Sequence, residues 1–212
     1  MNFSSINNIL VLAPHTDDGE LGCGGSISRF RDEGINVHYA AFSLCERSLP
    51  AGMEPGTLAT ECRNATAELG IDSNSISFYD FDVRNFSKYR QEILEILIEL
   101  KNRLSPDLIF LPCRDDVHQD HAVIHEEGLR AFKHSSVLGY ELPWNHSTFN
   151  ATLFISLENS NIERKNKALS MYQSQQHRNY MSAEFISSLA RVRGVQSNVQ
   201  FAEAFEVYRM MM

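Results

Sequence analysis

Residues 13–20 read Ala13-Pro14-His15-Thr16-Asp17-Asp18-Gly19-Glu20. A short apolar run at 9–12 precedes them, and a glycine-rich stretch at 22–25 leads from them into a helical pattern. This order predicts a buried strand that ends, a loop, and a helix that begins. One imidazole and two adjacent carboxylates are therefore expected at a strand end, where a loop can present them to a ligand.

The composition of the whole chain is that of an ordinary globular domain. Its 212 residues are 43% hydrophobic and 22% charged, which suffices for a buried core and predicts a single domain over 1–212. The formal net charge is −8, so we expect neither nucleic acid nor an anionic membrane as a partner. We recognise no signal peptide and no membrane span and expect a cytoplasmic protein. A homo-oligomer is compatible with this composition.

Strand patterns and helix patterns alternate along the chain. We predict strands at 8–13, 35–43, 76–81, 107–112, 137–142, 152–157 and 203–209. We predict helices at 21–33, 57–69, 85–104, 119–133, 161–175 and 183–192. Thr57 is the expected N-cap of the second helix, and the segment at 203–209 is expected to close the sheet. The alternation is typical of an α/β fold with a mostly parallel, doubly wound sheet.

A second polar loop follows the predicted fourth strand and contains His118-Gln119-Asp120-His121. In doubly wound sheets the first and fourth strands are commonly neighbours at the point where the strand order reverses. Ligands bind beside the carboxyl ends of the strands at that point. The predicted topology therefore brings the loop at 13–20 and the loop at 118–121 together, although they are far apart in the sequence.

The two loops together supply imidazoles and carboxylates, which are the donors of a catalytic metal site. Two histidines and one aspartate suit zinc with an open position for water. Iron or another divalent first-row metal fits the same donors. A carboxylate could accept a proton from the water, an imidazolium could stabilise an oxyanion, and Asp120 could orient one imidazole. Such a set predicts hydrolysis of a carbonyl compound such as an amide.

Both loops resemble motifs of the PIG-L/LmbE-like family of zinc-dependent N-acetylglucosaminyl deacetylases. The first family motif is typically Ala-His-Pro-Asp-Asp-Glu; here the His-x-Asp-Asp core is kept, with Pro14 before the histidine and Gly19 before the glutamate. The second motif, His-x-Asp-His, matches fully at 118–121, and shorter similarities lie at 172–175 and 202–207. The resemblance implies a Rossmann-like three-layer sandwich of lactate-dehydrogenase-like topology and a small amino-sugar substrate.

The resemblance also implies a role for each residue of the two loops. The implied metal ligands are His15, Asp18 and His121. Asp17 would be the general base, His118 the oxyanion stabiliser or general acid, and Asp120 the residue that holds His118. The family often has an arginine where this chain has Leu58, and Arg47 or Arg63 would substitute for it. The candidate substrate contacts are Glu20, Arg47, Arg63, Trp144, Tyr172, His177 and Arg178.

Two other functions stay open from the residues alone. His15-Thr16-Asp17 with a distant histidine mimics the 2-His-1-carboxylate triad of non-haem iron oxygenases, although those are commonly built on double-stranded β-helix folds. A degenerate metal- or sugar-binding protein is the non-enzymatic alternative. A dinucleotide site is disfavoured because the glycines at 22–25 lack Gly-x-Gly-x-x-Gly spacing. His125 is expected to be an ordinary helix residue, and Asp115 and Asp116 to solvate their loop or line a pocket mouth.

Overall fold

A computed structural model describes residues 6–211. They form a seven-stranded sheet with the order β3-β2-β1-β4-β5-β7-β6. The strands are β1 Asn8–His15, β2 Asn36–Ser43, β3 Ile76–Phe78, β4 Leu108–Pro112, β5 Ser136–Tyr140, β6 Leu153–Leu157 and β7 Phe201–Arg209. β1 to β5 pair in parallel, whereas β7 pairs antiparallel with β5 and β6. The mostly parallel α/β sheet confirms the predicted fold class.

Helices cover both faces of the sheet. They are α1 Asp18–Asp32, α2 Thr57–Glu68, α3 Arg90–Leu104, α4 Gln119–Ala131, α5 Asn159–Ser170 and α6 Ala183–Gln196. α1, α2, α5 and α6 pack on one face with Ile9 and Val11 of β1, and α3 and α4 pack on the other face with Leu10 and Leu12. β1 is thus buried on both sides, because successive strand residues point to opposite faces. Among the helices of residues 6–211, none has the length and apolar character needed to cross a membrane.

The strand order reverses at β1, which lies between β2 and β4. β2 and β3 extend the sheet to one side, and β4 and β5 extend it to the other. The carboxyl ends of β1 and β4, at His15 and Pro112, therefore border the crevice where ligands bind in such folds. α1 begins beside this edge at Asp18, and α4 begins there at Gln119.

Helix α3 begins at Arg90, five residues later than the pattern predicted. Before it, Arg84 adopts a φ of 67°. The backbone N–H groups of Arg84 and Phe86 donate to the carboxylate of Asp120. These bonds hold the start of the segment against α4, and residues 86–88 form a short 3-10 helix before α3 begins.

The fifth predicted helix ends at Ser170 rather than 175, the third predicted strand ends at Phe78 rather than 81, and the sixth predicted helix extends to Gln196 rather than 192. Two further differences concern a helix cap and the last strand. Gly56, with a φ of 81°, is the N-cap of α2 in place of Thr57, whose hydroxyl donates to the carbonyl of Glu54 at 2.6 Å. β7 does not close the sheet but inserts between β5 and β6. Its Ala204 and Phe205 are both buried, as expected for an internal strand. The apolar sequence pattern of a strand predicts which of its faces are buried, but it does not predict which strands lie beside it.

Candidate metal centre

The two polar loops meet at the carboxyl edge of β1 and β4. His15 is the last residue of β1, and Asp18 is the first residue of α1. His118 is the N-cap of α4, and His121 lies in the first turn of that helix. The ring centroids of His15 and His121 lie 5.1 Å apart. The fold therefore joins the residues that the sequence placed in two distant loops.

Three side-chain atoms form a small buried triangle. Asp18 Oδ2 lies 3.0 Å from His15 Nδ1 and 3.1 Å from His121 Nε2. The two ring nitrogens lie 3.2 Å from each other. A tetrahedral zinc ion with bonds of about 2.0–2.1 Å keeps neighbouring donor atoms about 3.3 Å apart. The triangle thus has about the size that such an ion requires.

Each of these two imidazoles contacts a carboxylate through its other nitrogen. His15 Nε2 lies 3.1 Å from Asp120 Oδ2, and His121 Nδ1 lies 2.7 Å from Asp116 Oδ2. When these outer nitrogens carry the protons, lone pairs remain on the two inner nitrogens. Two lone pairs and a carboxylate oxygen repel at this spacing unless a cation or a proton lies between them. The donor set therefore fits a divalent ion, and carboxylate-backed histidines are typical of such sites.

His118 faces the same space but has a different hydrogen-bonding state. Its donor atom lies within 4.8 Å of donor atoms of His15 and His121. Its Nδ1 accepts the backbone N–H of Asp120 at 3.2 Å. The proton of the neutral ring must therefore lie on Nε2, which makes that nitrogen a hydrogen-bond donor rather than a free lone pair.

Asp17 and Asp18 are adjacent, but their pKa values move in opposite directions. Burial alone would raise the pKa of Asp18, but His121 and His15 outweigh burial and hold that pKa far below its ordinary value. Burial, reinforced by the negative charge of Asp18, raises the pKa of Asp17 to about 6. A carboxylate of raised basicity therefore lies beside the triangle of donor atoms.

The surroundings of His121 and His118 also shift their pKa values in opposite directions. Burial disfavours the charged form of His121, yet Asp18 and Asp116 raise its pKa to about 10. Without an ion, a proton on His121 thus relieves the repulsion between the donor atoms. Burial and the neighbouring His121 and His15 lower the pKa of His118 to about 4. His118 is accordingly neutral near pH 7.

A cavity of about 230 Å³ opens beside these groups. The sequence-predicted residues that line it are His15, Asp17, Asp18, His118, His121, Trp144 and Arg178. Lining residues that sequence reasoning missed include Arg84, Asn145, Gln175 and Tyr180. Leu58 lines the cavity as well, at the position where relatives often have an arginine. The missed residues lie outside both motifs, so only the folded chain reveals them.

Two of the candidate substrate contacts, Glu20 and Tyr172, are fully buried outside the cavity. The carboxyl group of Glu20 accepts hydrogen bonds from the hydroxyls of Tyr39 and Tyr172. Both hydroxyls also contact the carbonyl of Thr16. Burial raises the pKa of Glu20 to about 8. The expectation of substrate contact is wrong for Glu20 and Tyr172, because they support the loop at 13–20 from inside the protein.

Three further candidates also lie outside the cavity. Arg47 pairs with Asp82 at 3.1 Å, and the guanidinium of Arg63 lies 4.6 Å from the centroid of the Phe78 ring. Neither arginine lines the cavity beside Leu58. His177 is exposed to solvent beyond the cavity lining.

Two carboxylates have other partners than the sequence suggested. Asp120 was expected to hold His118, but its carboxylate contacts His15, and only its backbone N–H reaches His118. Asp116 was expected to solvate its loop or line a pocket mouth, but it is 4% exposed and holds His121. Asp116 lies five residues before its partner, outside the His-x-Asp-His motif, so no spacing signalled this contact.

The chain matches the model of the PIG-L family, described as GlcNAc-PI de-N-acetylase, over residues 10–132. This match spans more than half of the chain and includes both polar loops. The chain therefore belongs to the PIG-L family, as the resemblance of the two motifs implied.

Individual relatives were also found. The chain is 26% identical over 171 residues to the uncharacterized deacetylase YaiS of Escherichia coli K12, covering 78% of this chain and 90% of that protein. It is 26% identical over 117 residues to the diacetylchitobiose deacetylase of Thermococcus kodakarensis, covering 52% of this chain and 42% of that enzyme. The structure of the 4-carboxy-2-hydroxymuconate hydratase GalB of Pseudomonas putida KT2440 superposes with a TM-score of 0.80 at 20% identity, covering 98% of each chain. A hydratase on this fold means that the fold alone does not select the reaction.

Proposed function

We propose that this chain is a metal-dependent N-deacetylase that removes the acetyl group from an N-acetylglucosamine-type amino sugar or its conjugate. The observation that carries the proposal is one cavity that combines two carboxylate-backed histidines and Asp18 with the adjacent carboxylate of Asp17. The description of the family and the deacetylase names of the two sequence relatives support the amide of an amino sugar as the bond that is cleaved.

The proposed metal ligands are His15 Nδ1, His121 Nε2 and Asp18 Oδ2, with zinc as the ion and iron as the alternative for the same donors. A bound divalent ion supplies a water acidified towards neutral pH and polarises the carbonyl of the substrate. Asp120 and Asp116 hold the outer nitrogens of the two imidazoles, which fixes the ring orientations.

Asp17 is the proposed general base. It lines the cavity next to Asp18, and burial with the charge of Asp18 raises its pKa to about 6 in the metal-free protein. Asp17 is therefore a stronger base than an ordinary aspartate. It takes a proton from water as the water oxygen bonds to the carbonyl carbon. It then gives the proton to the amide nitrogen as the carbon–nitrogen bond breaks. The products are acetate and the free amine of the sugar.

His118 is the proposed oxyanion stabiliser. Because its Nδ1 accepts the N–H of Asp120, its Nε2–H is a donor. A donor that is already oriented stabilises the negative charge that develops on the carbonyl oxygen during attack. Its lowered pKa keeps the ring neutral near pH 7, so we propose stabilisation by a hydrogen bond rather than by an imidazolium charge.

Acetate release from N-acetylglucosamine and N,N′-diacetylchitobiose tests the proposed function. We expect release by the zinc-loaded protein, loss after chelation, and recovery when zinc is returned. The His15→Ala variant should lose both the metal and the activity. A zinc-loaded protein that releases no acetate from a broad panel of N-acyl sugars would contradict the proposal and favour the degenerate binding protein.

The match to the PIG-L family favours hydrolysis over the non-haem iron oxygenase. The two reactions are separable by a direct measurement. An oxygenase consumes dioxygen when loaded with iron, whereas the proposed deacetylase releases acetate at the same rate with and without dioxygen.

A further inference from the structure

Two arginines line the cavity without a carboxylate partner. Arg84 and Arg178 both border it. Within residues 6–211 neither guanidinium forms a salt bridge with a carboxylate, although the charge of Arg178 is near enough to Asp17 to lower the pKa of that carboxyl. Arg47, which lies outside the cavity lining, is by contrast paired with Asp82. The chain as a whole carries a formal net charge of −8, so unpaired cations in the cavity do not reflect a general excess of basic residues.

Arg178 is held in place by an aromatic stack. Its Nη1 donates to the hydroxyl of Tyr180, and its guanidinium carbon lies 5.7 Å from the centroid of that ring. The ring of Tyr180 stacks on Trp144 with 3.9 Å between centroids and 7° between planes. Phe185 packs edge-on against Trp144. The stack restricts the guanidinium before any ligand arrives, which reduces the entropy lost on binding.

The Nε–H of Arg178 is buried and has no acceptor within the part of the chain that the structure describes. Leaving a buried cationic donor without a partner costs free energy. A phosphate or carboxylate oxygen would supply the acceptor, and the planar guanidinium matches both groups. Arg84 adds a second positive charge at the same cavity. Its guanidinium forms no salt bridge with a carboxylate of residues 6–211.

We infer that the substrate carries an anionic group, a phosphate or a carboxylate, in addition to its N-acetyl amino sugar, and that Arg178 binds this group. The inference rests on the proposed function, because it assigns the acetamide to the end of the cavity with the three histidines. Arg178 is then a specificity-determining residue, and Arg84 contributes positive potential to the same cavity.

The first test compares substrates on the zinc-loaded wild-type protein. N-Acetylglucosamine is the neutral probe, its 1-phosphate and 6-phosphate are the phosphate probes, and N-acetylmuramic acid is the carboxylate probe. We expect at least one anionic probe to exceed the neutral sugar in kcat/KM by about tenfold or more, as one charge-assisted contact provides. The phosphate and carboxylate arms identify which anion is bound. Equal kcat/KM for all four sugars would overturn the inference while leaving the proposed function intact.

The second test uses the Arg178→Gln variant with Arg63→Gln as its control, since Arg63 is an exposed arginine outside the cavity. We expect Arg178→Gln to lower the ratio of kcat/KM for the anionic over the neutral sugar by about tenfold or more, through KM. Arg63→Gln should leave that ratio unchanged. If Arg178→Gln lowers kcat/KM equally for both sugars, Arg178 acts on Asp17 rather than on the substrate, and the inference fails.

The third test measures binding without turnover. Calorimetric titration of the zinc-loaded Asp17→Asn variant with the same four sugars should give a lower Kd for the preferred anionic sugar than for N-acetylglucosamine. The additional Arg178→Gln change should remove that difference. This binding measurement does not depend on acetate release. It therefore distinguishes a failure of the anion contact from a failure of the proposed deacetylase activity.

Discussion

Asp17 and Asp18 are chemically identical neighbours with opposite electrostatic environments. Asp18 Oδ2 contacts two imidazole nitrogens at 3.0 and 3.1 Å, which stabilises its ionised form. Asp17 is buried and has the charge of Asp18 beside it, so the ionised form of Asp17 is disfavoured. One turn of chain thus provides a weakly basic ligand and a more basic proton acceptor. Sequence chemistry alone could not divide these roles, because the division depends on which way each side chain points.

Replacement of Asp17 by asparagine separates catalysis from metal binding. We expect Asp17→Asn to keep zinc and to lower kcat by at least about 10²-fold, the contribution typical of a general base. Acetate release gives the rate, and atomic absorption of the dialysed protein gives the metal content. Loss of zinc in this variant would instead make Asp17 a ligand and would reverse the roles of the two aspartates.

The same substitution should change the pH dependence of stability in the zinc-free protein. The pKa of Asp17 is about 6 in the fold against an ordinary value of 3.8. A raised pKa stabilises the fold below about pH 4, and this contribution is lost as the pH rises through 6. Asparagine stays neutral, so the Tm of Asp17→Asn should exceed that of the wild type at pH 7. The difference should shrink towards pH 4, as thermal unfolding at several pH values would reveal.

Asp116 provides a test of the carboxylate behind His121. Its Oδ2 lies 2.7 Å from His121 Nδ1, so Asp116→Asn removes the charge that fixes this imidazole. We expect a 10- to 100-fold rise in the Kd for zinc, the usual effect of losing such a partner. Asp115→Asn is the matched control, because Asp115 is exposed and its carboxylate accepts a hydrogen bond only from Thr148 among the described residues. Equal zinc affinity in both variants would contradict this role.

Residues that could be predicted from the sequence are those whose neighbours are fixed by local spacing and strand order. His15, His118 and His121 belong to loops that the parallel topology brings together. Glu20 could not be placed in the same way, because the first turn of α1 directs it inward to Tyr39 and Tyr172. Polarity close to a motif therefore does not imply exposure to the cavity.

At the scale of elements, α1 depends on close approach to the sheet. A Cβ added to Gly22 would lie 2.3 Å from Cδ2 of Tyr140, a buried ring whose hydroxyl donates to the carbonyl of Leu12. We expect Gly22→Ala to destabilise the protein by about 1–3 kcal/mol, the usual cost of overpacking a core. Urea unfolding followed by circular dichroism would measure it.

Gly24→Ala is the control for Gly22→Ala within the same helix. The nearest atom to its added Cβ would be Cγ of Lys165 at 3.2 Å, a methylene that needs to move only a few tenths of an ångström. Alanine also favours a helix over glycine by about 1 kcal/mol. We expect stability within about 1 kcal/mol of the wild type. Equal destabilisation by both substitutions would attribute the effect to the helix itself and not to Tyr140.

Elements built from long periodic patterns could be predicted, whereas those set by tertiary contacts could not. The strand Leu108–Pro112 could be predicted because its residues are all apolar, and the structure buries its whole length. The predicted start of α3 was wrong because the carboxylate of Asp120 accepts hydrogen bonds from the backbone N–H groups of Arg84 and Phe86, just before the helix. The position of β7 was not predicted because a strand's apolar pattern does not identify the strands it pairs with, and β7 pairs with β5 and β6.

At the scale of the whole molecule, one buried ion pair joins three elements on one face of the sheet. Lys165 of α5 contacts Glu203 of β7 at 2.6 Å and donates to the carbonyl of Leu21 in α1. The carboxylate of Glu203 also accepts the backbone N–H groups of Gly25 and Ser26. α1 departs from helical geometry at Cys23, and these contacts satisfy the backbone groups on both sides of that kink.

Lys165→Met should therefore lower the free energy of unfolding of the whole domain. It would leave the buried charge of Glu203 without its cation, and breaking a buried pair in this way costs about 3–5 kcal/mol. Lys167→Met is the control, since Lys167 is 61% exposed and pairs with Glu68 at the surface, where a pair contributes about 0–1 kcal/mol. The double variant Lys165→Met/Glu203→Gln should recover part of the loss, because the unpaired charge is gone. Equal free energies of unfolding for Lys165→Met and Lys167→Met would mean that the three elements hold together without this pair.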